Sequence, residues 1–109
     1  MPRNSSNNSL IKFNEIKEIF DDYLLLKRKC RFISPFARDK KSKDALESIR
    51  KLEGILSRLK EPYCSILRKT FIEQDDLYWW SASFTTTKYY RLRSLAIDSF
   101  LLAYETLNV

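Results

Sequence analysis

The sequence predicts an all-α domain, and three observations carry that expectation. Only one glycine and three prolines interrupt 109 residues, 44% of the residues are hydrophobic, and the apolar positions recur at steps of three and four. So few turn-formers argue against a turn-rich β structure, and so many apolar side chains argue against disorder. The length suits one compact core and is short for two.

Met1 to Ser9 is polar, rich in Asn and Ser, and lacks an apolar stretch after its first charge. It reads as a disordered arm (1–9) of a cytoplasmic protein and not as a secretory signal. Residues 10–109 are then expected to form a single helical domain. In 10–31, Leu10, Phe13, Ile16, Phe20, Tyr23, Leu24 and Lys27 lie on a three-and-four spacing with charged residues between them, which predicts a long amphipathic helix. Pro35 should stop it, since proline lacks an amide hydrogen and restricts the residue before it. Residues 32–43 follow as a basic loop. Leu46, Ile49, Leu52, Leu56 and Leu59 mark a second helix from about Ser42 to Lys60, with Ser42 as N-cap. Gly54 within it costs about 1 kcal/mol relative to Ala and is expected to mark a close helix crossing.

Pro62 suits the first turn of a third helix, whose buried side is Ile66, Leu67, Thr70 and Phe71 and whose end falls near Glu73. Asp75 or Asp76 is expected to cap a short fourth helix through Leu77 to Ala82. The run Thr85, Thr86, Thr87 is expected to cap a fifth that continues to about Leu107. β-Branched threonines are poor in a helix interior and good at its entrance. The total is about five helices.

Catalytic chemistry is hard to assemble from this chain. Histidine is absent, so no imidazole can act as base or ligand; the lone glycine removes any phosphate-cradling loop. Cys30 and Cys64 show no metal or nucleophile spacing and read as reduced packing residues, with a regulatory disulfide as the alternative. Asp75 and Asp76 have the chemistry for Mg²⁺, but adjacent acids before a helix are far more often caps. A non-enzyme without cofactor or metal is the expectation. The longest aliphatic run, Leu24 to Leu26, is far from a membrane span.

Charge points elsewhere. Lys plus Arg number 20 against 14 acids, for a net charge of +6. Lys27, Arg28, Lys29, Arg31, Arg38, Lys40, Lys41 and Lys43 surround the single acid Asp39, whereas between Thr70 and Thr87 the only charges are acids. Lys40, Lys41 and Lys43 are candidates for phosphate contact, with a solvated loop as the other reading. On a wheel of 100° per residue, Tyr89, Leu92, Ala96, Ile97, Phe100 and Tyr104 span an arc of roughly 140° on the last helix, as a core stripe should. Thr87, Arg91 and Ser94 face away, flanked by Lys88 and Tyr90. Such a face suits a helix whose N-terminal end enters a major groove, where Arg reads guanine and Thr offers a hydroxyl or methyl contact. The other reading is a solvated face. Arg93 falls inside the apolar arc and reads as a snorkelling or salt-bridged boundary residue. Of Trp79 and Trp80, one should face the core; the other is either half exposed or, beside Tyr78, a partner surface.

The segments LSRLKEPYCSILRKTFIE and TTTKYYRLRSLAIDSF, within about Leu52 to Phe100, resemble region 4 of bacterial sigma factors. They resemble more closely the ArpU/RinA-type late transcriptional regulators of phages of Gram-positive bacteria. The KYYRLR run with Ala96 and Ile97 beyond it carries most of the likeness. It implies a C-terminal helix-turn-helix within 44–109, with Tyr89, Leu92, Ala96 and Ile97 as core positions and Thr86, Thr87, Lys88, Tyr90 and Arg91 approaching DNA. Trp79 stands where the family has a small residue and Ser83 where the turn has Gly, so the docking angle is expected to differ. The expected function is a sequence-specific transcription regulator, a late-gene activator of a phage or prophage that inserts the helix from Thr85 in the major groove of double-stranded DNA in the bacterial cytoplasm. RNA polymerase or a second copy of the chain are its further candidate partners. The alternative is a protein-interaction module in which the helices at 10–30 and 42–60 form a hairpin that pairs with a partner.

Overall fold

The computed structural model describes residues 5–31, 39–74 and 76–107. Among them are four α-helices: α1 (Ser5–Cys30), α2 (Lys40–Arg58), α3 (Tyr63–Leu67) and α4 (Thr86–Leu107). A π-helical segment, Arg68–Glu73, continues α3, and a 3-10 turn, Trp79–Ala82, precedes α4. No strand occurs among the described residues, as the composition predicts. No helix among them is long and apolar enough to cross a membrane.

Several boundaries differ from the sequence expectation. The first helix reaches back to Ser5, inside the stretch expected as an arm; residues 1–4 lie outside the described ones. Of the expected loop 32–43, residues 40–43 are helical. The N-cap is Asp39 and not Ser42: the Asp39 carboxylate accepts hydrogen bonds from both the amide and the hydroxyl of Ser42, each at 3.0 Å. An ionised cap at the positive end of a helix outperforms a hydroxyl three residues later. These bonds from Ser42, the backbone one first, hold the Asp39 carboxyl below its usual range. Residues 32–38, including Arg38 of the basic run, lie outside the described ones, as does Asp75.

The expected fourth helix is a single 3-10 turn, so the expected five helices become four α-helices among the described residues. Asp76 Oδ1 accepts from the amide of Tyr78 at 3.0 Å, which spends the cap on a tight turn. The Trp80 carbonyl then accepts from both Ser83 and Phe84, at 3.0 and 2.9 Å, and the chain leaves the turn after one cycle. In this turn Trp80 is buried and packs with Ile66 and Tyr89. Gly54 marks no close crossing: a Cβ built there meets nothing within 4 Å.

The core is an aromatic ladder laid across three elements. The Phe20 ring lies 5.4 Å from Phe71 at 6° and 5.1 Å from Phe100, so one α1 side chain touches both the π segment and α4. Phe13 extends the ladder to Phe71 at 5.3 Å and Tyr104 extends it from Phe100 at 5.9 Å. Ile16, Ile49, Leu52, Ile55, Leu56, Ala96 and Ile97 close around it. Burying a ring such as Phe100 stabilises by roughly 1.5–3 kcal/mol, and each aromatic pair adds about 0.5–1.5 kcal/mol. The expectation that Tyr89, Ala96, Ile97 and Phe100 are buried holds; Leu92 is only half-buried. The π segment closes with the Gln74 amide donating to the Lys69 carbonyl at 3.0 Å, Gln74 itself being left-handed at φ 49°. Its wide turn lets Phe71 enter the ladder while Thr70 reaches α4.

Where α1 meets α2 a polar group borders the apolar core. The Tyr23 hydroxyl donates to Glu53 Oε2 at 2.6 Å and Lys27 Nζ lies 3.0 Å from the same oxygen. The bond from Tyr23, aided by Lys27, holds the Glu53 carboxyl below its ordinary value; burial, then the bond to Glu53, raises the Tyr23 phenol. A carboxylate whose folded pKa is depressed adds stability above its unfolded pKa and loses it as pH falls through the folded value. Urea denaturation followed from pH 7 downward should therefore show stability falling below about pH 4.5, and Glu53→Gln should flatten that limb; an unchanged acid limb would assign the loss to other carboxylates. At Gly54, mid-helix with open space around the missing Cβ, Gly54→Ala should raise stability by about 1 kcal/mol at neutral pH. A lower urea midpoint for that variant would show that the position needs glycine after all.

Candidate nucleic-acid interface

The N-terminal end of α4 is built by local capping and then locked by aromatic packing. Thr85 is the N-cap, its Oγ1 accepting from the Lys88 amide at 3.2 Å and its carbonyl from the Tyr89 amide at 2.9 Å. Half-buried Phe84, just before the cap, and Tyr89, four residues after it, join one apolar cluster, the arrangement of a hydrophobic staple. That cluster is Ile66, Trp80 and Tyr89, with Trp79, Phe84 and Leu92 packed against it. The Trp80 and Tyr89 rings stack at 4.4 Å and 5°, and the Tyr89 hydroxyl shares a 2.9 Å hydrogen bond with Thr70 of the π segment. The first turn of α4 is therefore held from two sides, by the 3-10 turn and by the π segment.

Thr86, Thr87, Lys88, Tyr90 and Arg91 are all exposed on this end. The first turn carries no acid, and neither Lys88 nor Arg91 has a carboxylate partner among the described residues. The positive end of the helix dipole, two uncompensated cations and several hydroxyls thus face solvent together, which favours an anion. The five residues expected to approach DNA from the last helix are one contiguous surface.

Lys40, Lys41 and Lys43 are also exposed, but they belong to a different helix. They occupy the first turn of α2, whose buried residues begin only at Ile49, so Lys40 overhangs the core by about 13 Å along the helix. The start of α4 meets the N-terminal half of α1: Arg93 docks on Phe13, and further along both helices Phe20 meets Phe100. None of Lys40, Lys41 and Lys43 forms an ion pair among the described residues. Lys27, from the same basic run, is committed to Glu53.

Arg93 behaves differently from either sequence expectation. Half-buried and without a carboxylate partner among the described residues, it sits over the rings of Phe13 at 4.6 Å and Tyr90 at 4.7 Å, with Tyr89 at 5.9 Å. Cation–π contact replaces the salt bridge and pins α1 against the start of α4. Of the two tryptophans, Trp80 is the buried one. Trp79 is half-buried, edge-on to Tyr89 at 5.9 Å and covered by Lys69 Nζ at 5.6 Å. Tyr78 and Leu77 are left out in solvent, at 60% and 79% exposure.

Sequence reasoning missed an aromatic groove of about 570 Å³ between α1, the π segment, the 3-10 turn and α4. Phe13, Tyr78, Trp80, Tyr90 and Arg93 are among its walls. The Tyr78–Trp79–Trp80 triplet was its one visible signal, since three large aromatics in a row cannot all face one core. Cys30 and Cys64 are free and half-buried, and no cluster of potential metal ligands occurs among the described residues. No family model matches the chain, and neither a curated protein nor a solved structure does.

Proposed function

We propose that this protein is a sequence-specific DNA-binding transcription regulator that presents the start of α4 to a major groove. The observation that carries the reading is the surface of Thr86, Thr87, Lys88, Tyr90 and Arg91: exposed, unpaired with acids among the described residues, at a helix N-terminus, and immobilised by the Trp80–Tyr89 stack. Specific recognition needs such rigidity, because a side chain reads a base edge only from a fixed backbone position. The resemblance to sigma region 4 and to ArpU/RinA-type regulators supplies the setting, late-gene control in a phage or prophage. The chain between the π segment and α4, from Gln74 to Thr85, is longer than the three- or four-residue turn of a helix-turn-helix, so the approach to DNA is this protein's own. Lys40, Lys41 and Lys43 act in this reading as a separate phosphate anchor beyond the reading helix.

A second reading rests on Leu77 and Tyr78, which are exposed beside the buried Trp80 and fit a protein partner such as RNA polymerase or a second copy of this chain. Mobility shift with genomic fragments separates the two. Discrete complexes that resist competitor DNA support the regulator, and diffuse retardation that vanishes at moderate salt supports the interaction module.

On a site selected from random DNA, Arg91→Ala should cost about 1–3 kcal/mol while hardly changing affinity for unrelated DNA, because bidentate base contacts discriminate by that amount. Lys88→Ala should weaken both alike. Equal weakening on the two DNAs for Arg91→Ala would place that side chain on a phosphate. Neutralising Lys40, Lys41 and Lys43 together should lower affinity for all sequences and reduce the salt slope by about 0.9 for every phosphate no longer bound. An unchanged slope would leave those lysines as solvated overhang.

A further inference from the structure

The aromatic groove beside the reading helix has a floor, two walls and a charged rim. Trp80 is the floor. Tyr78 and Tyr90 both meet it in tilted, edge-type contacts, with ring centroids 6.1 and 6.0 Å from the indole and each ring at 64° to it. Both tyrosines are exposed while Trp80 is buried, so their rings project into solvent above a packed base. Arg93 and Lys69 lie on the rim. The Arg93 guanidinium carbon lies 4.6 Å from the Phe13 ring centre and 4.7 Å from that of Tyr90, and a guanidinium held against rings keeps N–H groups with which to meet an anion. Other charges of the groove are already engaged: Lys17 pairs with Asp21 at 3.0 Å, Lys69 with Glu73 at 3.9 Å, and Asp76 caps the Tyr78 amide, whereas Arg93 has no carboxylate partner among the described residues.

A slot of this kind matches a flat aromatic group joined to an anion. Tyr90 belongs both to it and to the surface proposed to meet the duplex, so the two sites are continuous. We propose that the groove receives an unpaired nucleobase of a DNA strand, held between Tyr78 and Tyr90 over Trp80, with its phosphate on Arg93. This rests on the reading of α4 as a duplex-binding helix only for where the strand comes from; the slot's geometry stands by itself. Bases stack on aromatic side chains with little regard to sequence, so the groove adds affinity for melted or gapped DNA without adding specificity. The protein would then favour duplex that carries an opened stretch next to its site.

The test compares an intact duplex, the same duplex with a short thymine gap, and free oligothymidylate, each followed by anisotropy and by tryptophan emission. The gapped duplex should bind about 5- to 100-fold more tightly than the intact one and quench the emission, as stacking of one base would give. Tyr78→Ala should abolish the surplus and Tyr78→Phe should keep it, both leaving intact-duplex affinity and the thermal melt unchanged, since Tyr78 is outside the core and the α4 surface. Equal binding of gapped and intact duplex, or a surplus that survives Tyr78→Ala, overturns the proposal. If the intact duplex is not bound at all, the reading of α4 falls; oligothymidylate that quenches wild type but not Tyr78→Ala then still supports the groove, and oligothymidylate that neither binds nor quenches overturns it.

Discussion

The ring of Phe20 sets the geometry of the whole molecule. It is fully buried, stacks on Phe71, tilts against Phe100 and meets Tyr23 edge-on at 6.3 Å. Three elements distant in sequence therefore share one side chain. α1 supplies it, the π segment supplies the ring it stacks on, and α4 closes over it. Packing at the density of a protein interior leaves such a junction no freedom to slide, because any shift of one ring opens a void beside the other two. The direction of α4 across α1 follows from this junction, and with it the place where the start of α4 emerges.

A second, smaller cluster converts that scaffold into a defined surface. Trp80 stacks on Tyr89, Tyr89 bonds Thr70, and Phe84 staples the cap. Trp80, Phe84 and Tyr89 all lie within five residues of Thr85 in the chain. The helix end would otherwise fray, since the first amides of a helix have no internal acceptors. Here the cap and the cluster hold it while Thr86, Thr87, Lys88, Tyr90 and Arg91 stay in water. That end of α4 therefore combines a packed base with exposed, uncompensated charge.

Charge is divided between structure and surface in a way that net charge does not reveal. Lys27 neutralises Glu53 at the α1–α2 contact, Lys12 pairs with Asp98 at 2.9 Å to join α1 to α4, and Arg93 is absorbed by aromatic rings. Lys88 and Arg91 at the start of α4, with the lysines of the α2 overhang, form no ion pair among the described residues and are available to a polyanion. The pairs that do form are partly exposed, so they orient the helices more than they stabilise them.

Local spacing along the chain is enough to specify the helical class, the core face of α4 and its cap. Apolar side chains three and four residues apart must share a face, and Thr85 needs only its own next turn to become a cap. The Thr86 to Arg91 surface was legible for the same reason, being the other side of that face. Packing between distant segments then selected the residues that leave this pattern. Trp79 and Trp80 are the same residue type side by side, and burial against Tyr89 distinguishes them. The 3-10 turn and the groove between Tyr78 and Tyr90 follow from that choice, as the widened turn around Phe71 follows from the ladder. Arg93 lies on the apolar arc of the wheel, yet its aromatic partner Phe13 comes from α1, eighty residues earlier in the chain. No periodicity within one helix encodes a contact between two, because the wheel gives a side chain its direction and only packing gives it a neighbour.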